Sequence, residues 1–294
     1  MRSLVTACVL CSTIGVGVSA QVKTVDRTLP EFVQSSTNVF RRFAVDLSKM
    51  KEFYGDVLGL RPLPTLNMPG GGQMTRYQVG TSEIKLQPAP GESGVTHPAV
   101  RDAIGLRVFT FFFPDDAALM ARFKAHGLVG PEFTTRRESK IRNAMVRDPS
   151  GQWVELVIAP GASASTFDQL EVGLNVSNVE KSRAFYRDFV GLDELPPIHD
   201  GWLGVTKYPY RLGTTTINVY SFGKTGPALK SSAGIQYVIN NVDAVDARAK
   251  ERSVQIDRPL GPFGTGLRTI WLGDPDGITN NFAQVATRTT AIQR

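Results

Sequence analysis

Hydrophobic positions along this chain recur with two periods, and the periods trade places four times. Residues 39–45 form a short apolar stretch that reads as a strand. Residues 48–58 then place Met50, Phe53, Tyr54 and Val57 at helical spacing until Gly59 stops the helix. Residues 75–79 and 82–87 read as strands around a Gly80-Thr81 turn. The apolar run 106–113, with Phe109, Phe111, Phe112 and Phe113, predicts a strand buried on both faces and halted by Pro114. A helix over 117–125 follows, capped by Asp115 or Asp116 and ended by Gly127. Strands at 142–146 and 153–158 close the first half.

The second half reads the same way: strand 170–176, helix 179–190, strands 214–220 and 235–239, helix 242–250, strands 268–272 and 282–286. The segment 160–165, rich in Gly, Ala and Ser, is the natural linker, and 92–98 and 223–232 separate the quarters. Two landmarks repeat in step. Asp46 to Tyr54, closing on Leu58-Gly59-Leu60, returns as Asn178 to Tyr186, closing on Val190-Gly191-Leu192, an offset of 132 residues. Asp148-Pro149-Ser150-Gly151 returns as Asp274-Pro275-Asp276-Gly277, an offset of 126. Ordered landmarks at near-equal spacing mark a duplicated module.

On these motifs, together with Gln152-Trp153-Val154-Glu155-Leu156 after the first DPxG turn, the sequence resembles the vicinal oxygen chelate superfamily of glyoxalases, bleomycin-resistance proteins, fosfomycin-resistance enzymes and extradiol dioxygenases. The resemblance implies an α+β fold: four βαβββ-like units forming two tandem glyoxalase-like modules, 37–160 and 166–288, each a curved mixed sheet cupping a cleft. Fold alone does not assign chemistry, because function resides in the site.

The resemblance also implies a divalent metal held by His, Glu or Gln on equivalent strands. Carried over by motif, those positions fall on Val39, Lys85, Arg107 or Val108, and Glu155 in the first module. In the second they fall on Glu171, Asn218, Gly234 (or Ile235 or Gln236) and Asn281. One carboxylate among cations is a poor metal site, and period-2 alternation adds Arg41 and Gln87 to the first cleft. That cleft therefore reads as basic, with Arg41, Lys85 and Arg107 against Glu155, and suited to carboxylate or phosphate groups. The ligand-binding candidates are Arg41, Lys85, Gln87, Arg107, Glu155, Glu171, Asn218, Gln236 and Asn281. Glu155, Glu171 and His199 are the candidate metal ligands, while His97 and His126 read as structural. No cofactor is assigned, with a divalent metal as the alternative.

Composition narrows the remaining classes. Arg2, an apolar run from Leu4 to Val18 and Val18-Ser19-Ala20 before Gln21 read as a signal peptide, residues 1–20, and predict export to a periplasm or the extracellular space. Cys8 and Cys11 both fall within it, so the mature chain has no disulfide or thiolate site. The net charge of +6, or +5 without Arg2, is mild and shows no basic run, which argues against nucleic-acid binding. No membrane span is expected after cleavage, and a homodimer is compatible with the sequence. GxSxG, HExxH, Walker and dinucleotide patterns are absent. Two readings stand: a metal-free protein that binds a small anionic molecule, and a metal-dependent lyase, isomerase or extradiol-type dioxygenase.

Overall fold

The computed structural model describes residues 32–285 apart from 70, 93–96, 137–139, 226–227, 230–232 and 265. The predicted signal peptide and both cysteines lie outside the described residues. The first unit comprises β1 (Asn38–Phe43), α1 (Leu47–Lys51), β2 (Arg61–Asn67), β3 (Gln73–Val79) and β4 (Ser82–Pro88). The second comprises β5 (Gly105–Phe113), α2 (Ala117–Ala125), β6 (Thr134–Thr135), β7 (Arg142–Arg147) and β8 (Trp153–Ile158). The one-turn helix α3 (Ala164–Phe167) lies in the linker. The third unit holds β9 (Leu170–Asn175), α4 (Val179–Ala184), β10 (Asp193–Glu194), β11 (Ile198–Asp200), β12 (Val205–Leu212) and β13 (Thr215–Tyr220). The fourth holds β14 (Ala233–Val238), α5 (Val242–Glu251), β15 (Ile256–Phe263), β16 (Leu267–Gly273) and β17 (Thr279–Val285). No described helix is long and apolar enough to cross a membrane.

The units do not pair in sequence order. One eight-stranded sheet runs β15-β16-β17-β14-β1-β4-β3-β2, so the first and fourth units share it. The other runs β10-β12-β13-β9-β5-β8-β7-β6 and joins the second and third, with β11 beside β12. Both junctions are antiparallel. β1 meets β14 with Asn38 opposite Gln236, and β5 meets β9 with Thr110 opposite Glu171. The cleft expected from residues 37–160 alone is therefore not formed: Lys85 and Glu155 stand on different sheets.

One face of each sheet is apolar. Val39, Phe43, Ile84, Leu86, Ile235, Tyr237 and Phe282 line it in the first sheet; Phe109, Phe111, Val154, Leu156, Val172 and Val219 line it in the second. Burying each such side chain contributes about 1.5–3 kcal/mol. Both predicted repeat helices are α-helical only for their first turns and then widen into π-helix, at Glu52–Val57 and Phe185–Val190. The widened turn buries two adjacent aromatics, Phe53 with Tyr54 and Phe185 with Tyr186. The two repeated landmarks then bond to each other. Tyr54 Oη donates to Asp148 Oδ2 at 2.9 Å, and Tyr186 Oη donates to Asp274 Oδ2 at 3.1 Å.

Strands β2, β12 and β15 were not expected, because Pro62 and Pro64, Pro209, and Pro259 and Pro262 interrupt them. β2 and β15 are edge strands, and the outer side of β12, opposite β13, is bordered only by the short β10 and β11. Proline is tolerated there because an outward N–H has no ladder partner to lose.

Candidate functional site

The polar face of each sheet centres on four equivalent residues. In the first sheet they are Asn38, Lys85, Gln236 and Asn281; in the second, Glu171, Asn218, Thr110 and Glu155. The equivalence follows from register. Asn38 faces Gln236, which faces Asn281; Glu171 faces Thr110, which faces Glu155.

Two expectations shift with it. Asn38, not Val39, takes the first-strand position, since the first copy has one more residue between strand and helix; Val39 is core. Thr110 replaces Arg107 or Val108, because the register of β5 against β9 sets Thr110, two residues beyond Val108, opposite Glu171. Thr110, a lone polar residue between Phe109 and Phe111, was the signal available in the sequence.

Arg41 is corrected from ligand to scaffold. Its side chain is fully buried on the core side, with Nε 3.3 Å from Asp148 Oδ2 and Nη2 donating to Ser150 Oγ. Arg107 is only 2% exposed, and its Nη2 donates to the Pro98 carbonyl at 2.8 Å, so it is not open to a ligand either. His199 is exposed on β11, next to Asp200, which is the residue of that strand turned into the second sheet's cluster. His97 is buried against the Asp148 turn, where burial and then Arg41 push its pKa down to about 4. His126 Nδ1 lies 2.7 Å from Glu52 Oε1 at the end of α2.

The second sheet's site is ionic and internally satisfied. Glu155 is 2% exposed and accepts from Thr110 Oγ1 at 2.9 Å, from Asn143 Nδ2 and from Arg136 Nη2 at 3.5 Å. Asn218 Nδ2 donates to Glu171 Oε2 at 2.7 Å. Lys207 Nζ sits 2.6 Å from Asp200 Oδ2, and Arg136 stands 3.9 Å from the same oxygen. Burial raises the Glu171 carboxyl above its ordinary range although Lys207 opposes the shift. Asp200 goes the other way: burial would raise it, but Lys207, the Leu203 amide and Arg136 prevail and lower it. Lys207, Asp200 and Arg136 were not expected, since they come from the unexpected strands or the loop before β7.

The first sheet's site is basic. Lys85 Nζ donates to Gln236 Oε1 at 2.6 Å, and Gln236 Nε2 donates to Asn281 Oδ1 at 2.8 Å. Burial lowers the Lys85 pKa, an effect that Glu83, 3.6 Å away, partly offsets. Glu83 is itself held by Arg76 Nη1 at 3.1 and 3.2 Å. Phe40 packs edge-on to Trp271, with ring centroids 5.4 Å apart. Gly234 is required beneath Phe40, since a Cβ there would lie 2.3 Å from the ring. At the sheet's open end, a cavity of about 230 Å³ is lined by Gln87, Arg258, Met68, Pro69, Pro262, Phe263 and Gly264. Gln87 lies two residues beyond Lys85 on β4, and Arg258 stands opposite Trp271, itself opposite Asn281. The Arg258 guanidinium is 5.6 Å from the Phe263 ring and has no carboxylate ion pair among the described residues.

Neither quartet fits a divalent ion. In the first, the central group is an ammonium and the amide oxygens of Gln236 and Asn281 are already accepting. In the second, two carboxylates share the site with Lys207 and Arg136. Among the described residues no three His, Cys, Asp or Glu side chains are arranged to hold a metal.

A family model described as the glyoxalase/bleomycin resistance protein/dioxygenase superfamily matches residues 37–156 and again 167–282. Among solved structures, glyoxalase I from Zea mays aligns with a TM-score of 0.67 at 20% identity, over 85% of this chain and 92% of its own. A putative dioxygenase from Bacillus subtilis aligns with a TM-score of 0.57 at 14% identity, over 86% of each chain. At these identities the likeness is one of fold. Comparison with curated protein sequences returned no match.

Proposed function

From the premise that this chain belongs to the glyoxalase/bleomycin resistance protein/dioxygenase superfamily, we propose that it binds a small carboxylate with an apolar body at the open end of its first sheet, without a metal. One observation carries the reading: the Arg258 guanidinium, without a carboxylate ion pair among the described residues, and the Gln87 amide share a cavity whose remaining walls are Met68, Pro69, Pro262, Phe263 and Gly264. Arginine offers a carboxylate two parallel N–H donors, and Gln87 adds a third. The surrounding charge supports the same sign, with Arg76, Lys85 and Arg258 against Glu83. Clustered cations at a concave surface raise the local concentration of anions.

Binding of benzoate and phenylacetate, compared with their uncharged amides by ligand-observed NMR, tests the reading. The acids should bind and the amides should not; equal binding of both sets would refute a carboxylate site. The protein is proposed to act after export, on the strength of the leader at residues 1–20.

A further inference from the structure

We propose that the outer face of α2 is a docking surface for a second copy of this chain, the two α2 helices packing antiparallel about a twofold axis. The face belongs to the second unit and has no residue in common with the cavity at Arg258, so the inference does not depend on the carboxylate reading.

The face is apolar where a surface helix is ordinarily polar. The exposed residues of α2 are Ala117, Ala118, Met120, Ala121, Lys124 and Ala125, and Lys124 alone among them is charged. α5 holds the same place in the fourth unit, and its exposed residues are Asp243, Ala247, Lys250 and Glu251. The repeat itself therefore does not call for an apolar outer face. Beyond the end of α2 the apolar surface continues through Leu128, 41% exposed, and Val129, 92% exposed. A contiguous exposed apolar patch marks an interaction site.

The patch has two parts that fit each other. Its C-terminal part is a groove of about 550 Å³ lined by Met120, Ala121, Lys124, Gly127, Leu128 and Gly130. Gly127, at a φ of 65°, turns the chain out of the helix, and Gly130 leaves room for Met120, whose Cε would lie 2.5 Å from a Cβ there. Its N-terminal part is a low ridge of Ala117, Ala118 and Ala121, whose short side chains let a second helix approach closely. A twofold contact between identical copies must be self-complementary. An axis crossing α2 at Met120 and Ala121 meets that condition, because it lays the ridge of each copy in the groove of the other.

Charge selects the same arrangement. Asp115, at the start of α2, accepts from the Ala117 and Ala118 amides at 3.0 and 3.4 Å through Oδ1, while Lys124 stands near the opposite end. Asp116 is taken by Arg142 at 2.6 Å, but neither Asp115 nor Lys124 has an ion-pair partner among the described residues. The axis that joins ridge to groove sets Lys124 beside the partner's Ala117, within a lysine arm's reach of the partner's Asp115, and so forms two ion pairs at once. Exposed pairs of this kind add little affinity. They fix orientation, since a parallel pairing would bring like charges together. Ridge, groove and opposed charges are all present on one face, which is what a second copy requires of it.

The test is sedimentation equilibrium of the full chain over a range of concentrations. Wild type should show a monomer–dimer equilibrium, and Ala121→Glu, at an exposed position, should weaken it at least tenfold with circular dichroism unchanged. Val129→Asp, at a second exposed position, should weaken it as well. Lys124→Glu should weaken it too, by facing the partner's Asp115 with a like charge. Adding Asp115→Asn, which keeps a helix cap and removes the repulsion, should recover part of that loss. A wild type that stays monomeric overturns the proposal, whether the face is then bare, covered by the chain's own ends or taken by another protein. A dimer that survives both Ala121→Glu and Val129→Asp lies on another face and overturns it as well. Failure of Asp115→Asn to recover any of the Lys124→Glu loss overturns the antiparallel arrangement.

Discussion

Asn38 and Gln236, 198 residues apart, lie directly opposite each other where β1 and β14 run antiparallel. Thr110 and Glu171 do the same across the other sheet. Each half of the chain therefore contributes one unit to both sheets. Cleaving the protein within 160–165, between β8 and β9, should leave the halves associated under native conditions, with unchanged circular dichroism. Either half produced alone should fail to give a folded monomer. A stable folded monomer of residues 21–160 by ultracentrifugation would contradict this sheet pairing.

The Arg41–Asp148 pair is fully buried, and its carboxylate also receives Tyr54 Oη. Arg41→Met strands that buried carboxylate and should cost about 3–5 kcal/mol in urea unfolding. Adding Asp148→Asn should recover part of the loss. A single variant within about 0.5 kcal/mol of wild type would show that the pair is not structural.

The second copy of that turn lacks the arginine. Burial raises Asp274 from an ordinary 3.8 to about 7, against the opposing backbone donors at Ile278 and Asp276. Since the folded state holds this proton more tightly than the unfolded chain, its stabilising contribution is full below about pH 4. It is lost as pH rises through about 7, on the order of 4 kcal/mol in all. Urea midpoints from pH 4 to 8 should show this decline in wild type. Asp274→Asn, which keeps an oxygen for the two amides, should remove that component; an unchanged slope would assign it elsewhere.

Most of the fold was legible because the repeat fixed element order, and helices 117–125 and 242–250 and strand 153–158 fall within a residue of their observed ends. Unit pairing was not legible. Period and composition say which face of β1 is buried, but nothing local distinguishes β14 from β5 as its partner. The site suffered from the same limit, from the register of β5 against β9, and from the one-residue-longer first strand-to-helix turn. Lys85, Gln236, Asn281, Glu155, Glu171 and Asn218, carried over by motif from the family resemblance, all stand on the polar faces of the two sheets. Lys207 and Arg258 escaped because proline-bearing strands give no regular alternation of polar and apolar residues.

Export is open to a direct check. Protein recovered from the periplasm or medium of an expressing bacterium should begin at Gln21 by N-terminal sequencing. Recovery of the intact Met1 end from cytoplasm alone would overturn the signal-peptide reading.

The central claim is a carboxylate site built on Arg258, and calorimetric titration of benzoate into wild type and Arg258→Ala tests it most directly. Loss of a charge-assisted hydrogen bond costs about 1.5–3 kcal/mol, so affinity should fall about tenfold or more. Lys124→Ala, a cation on α2 away from both quartets, should bind as wild type does. Equal benzoate affinity in wild type and Arg258→Ala would contradict the account.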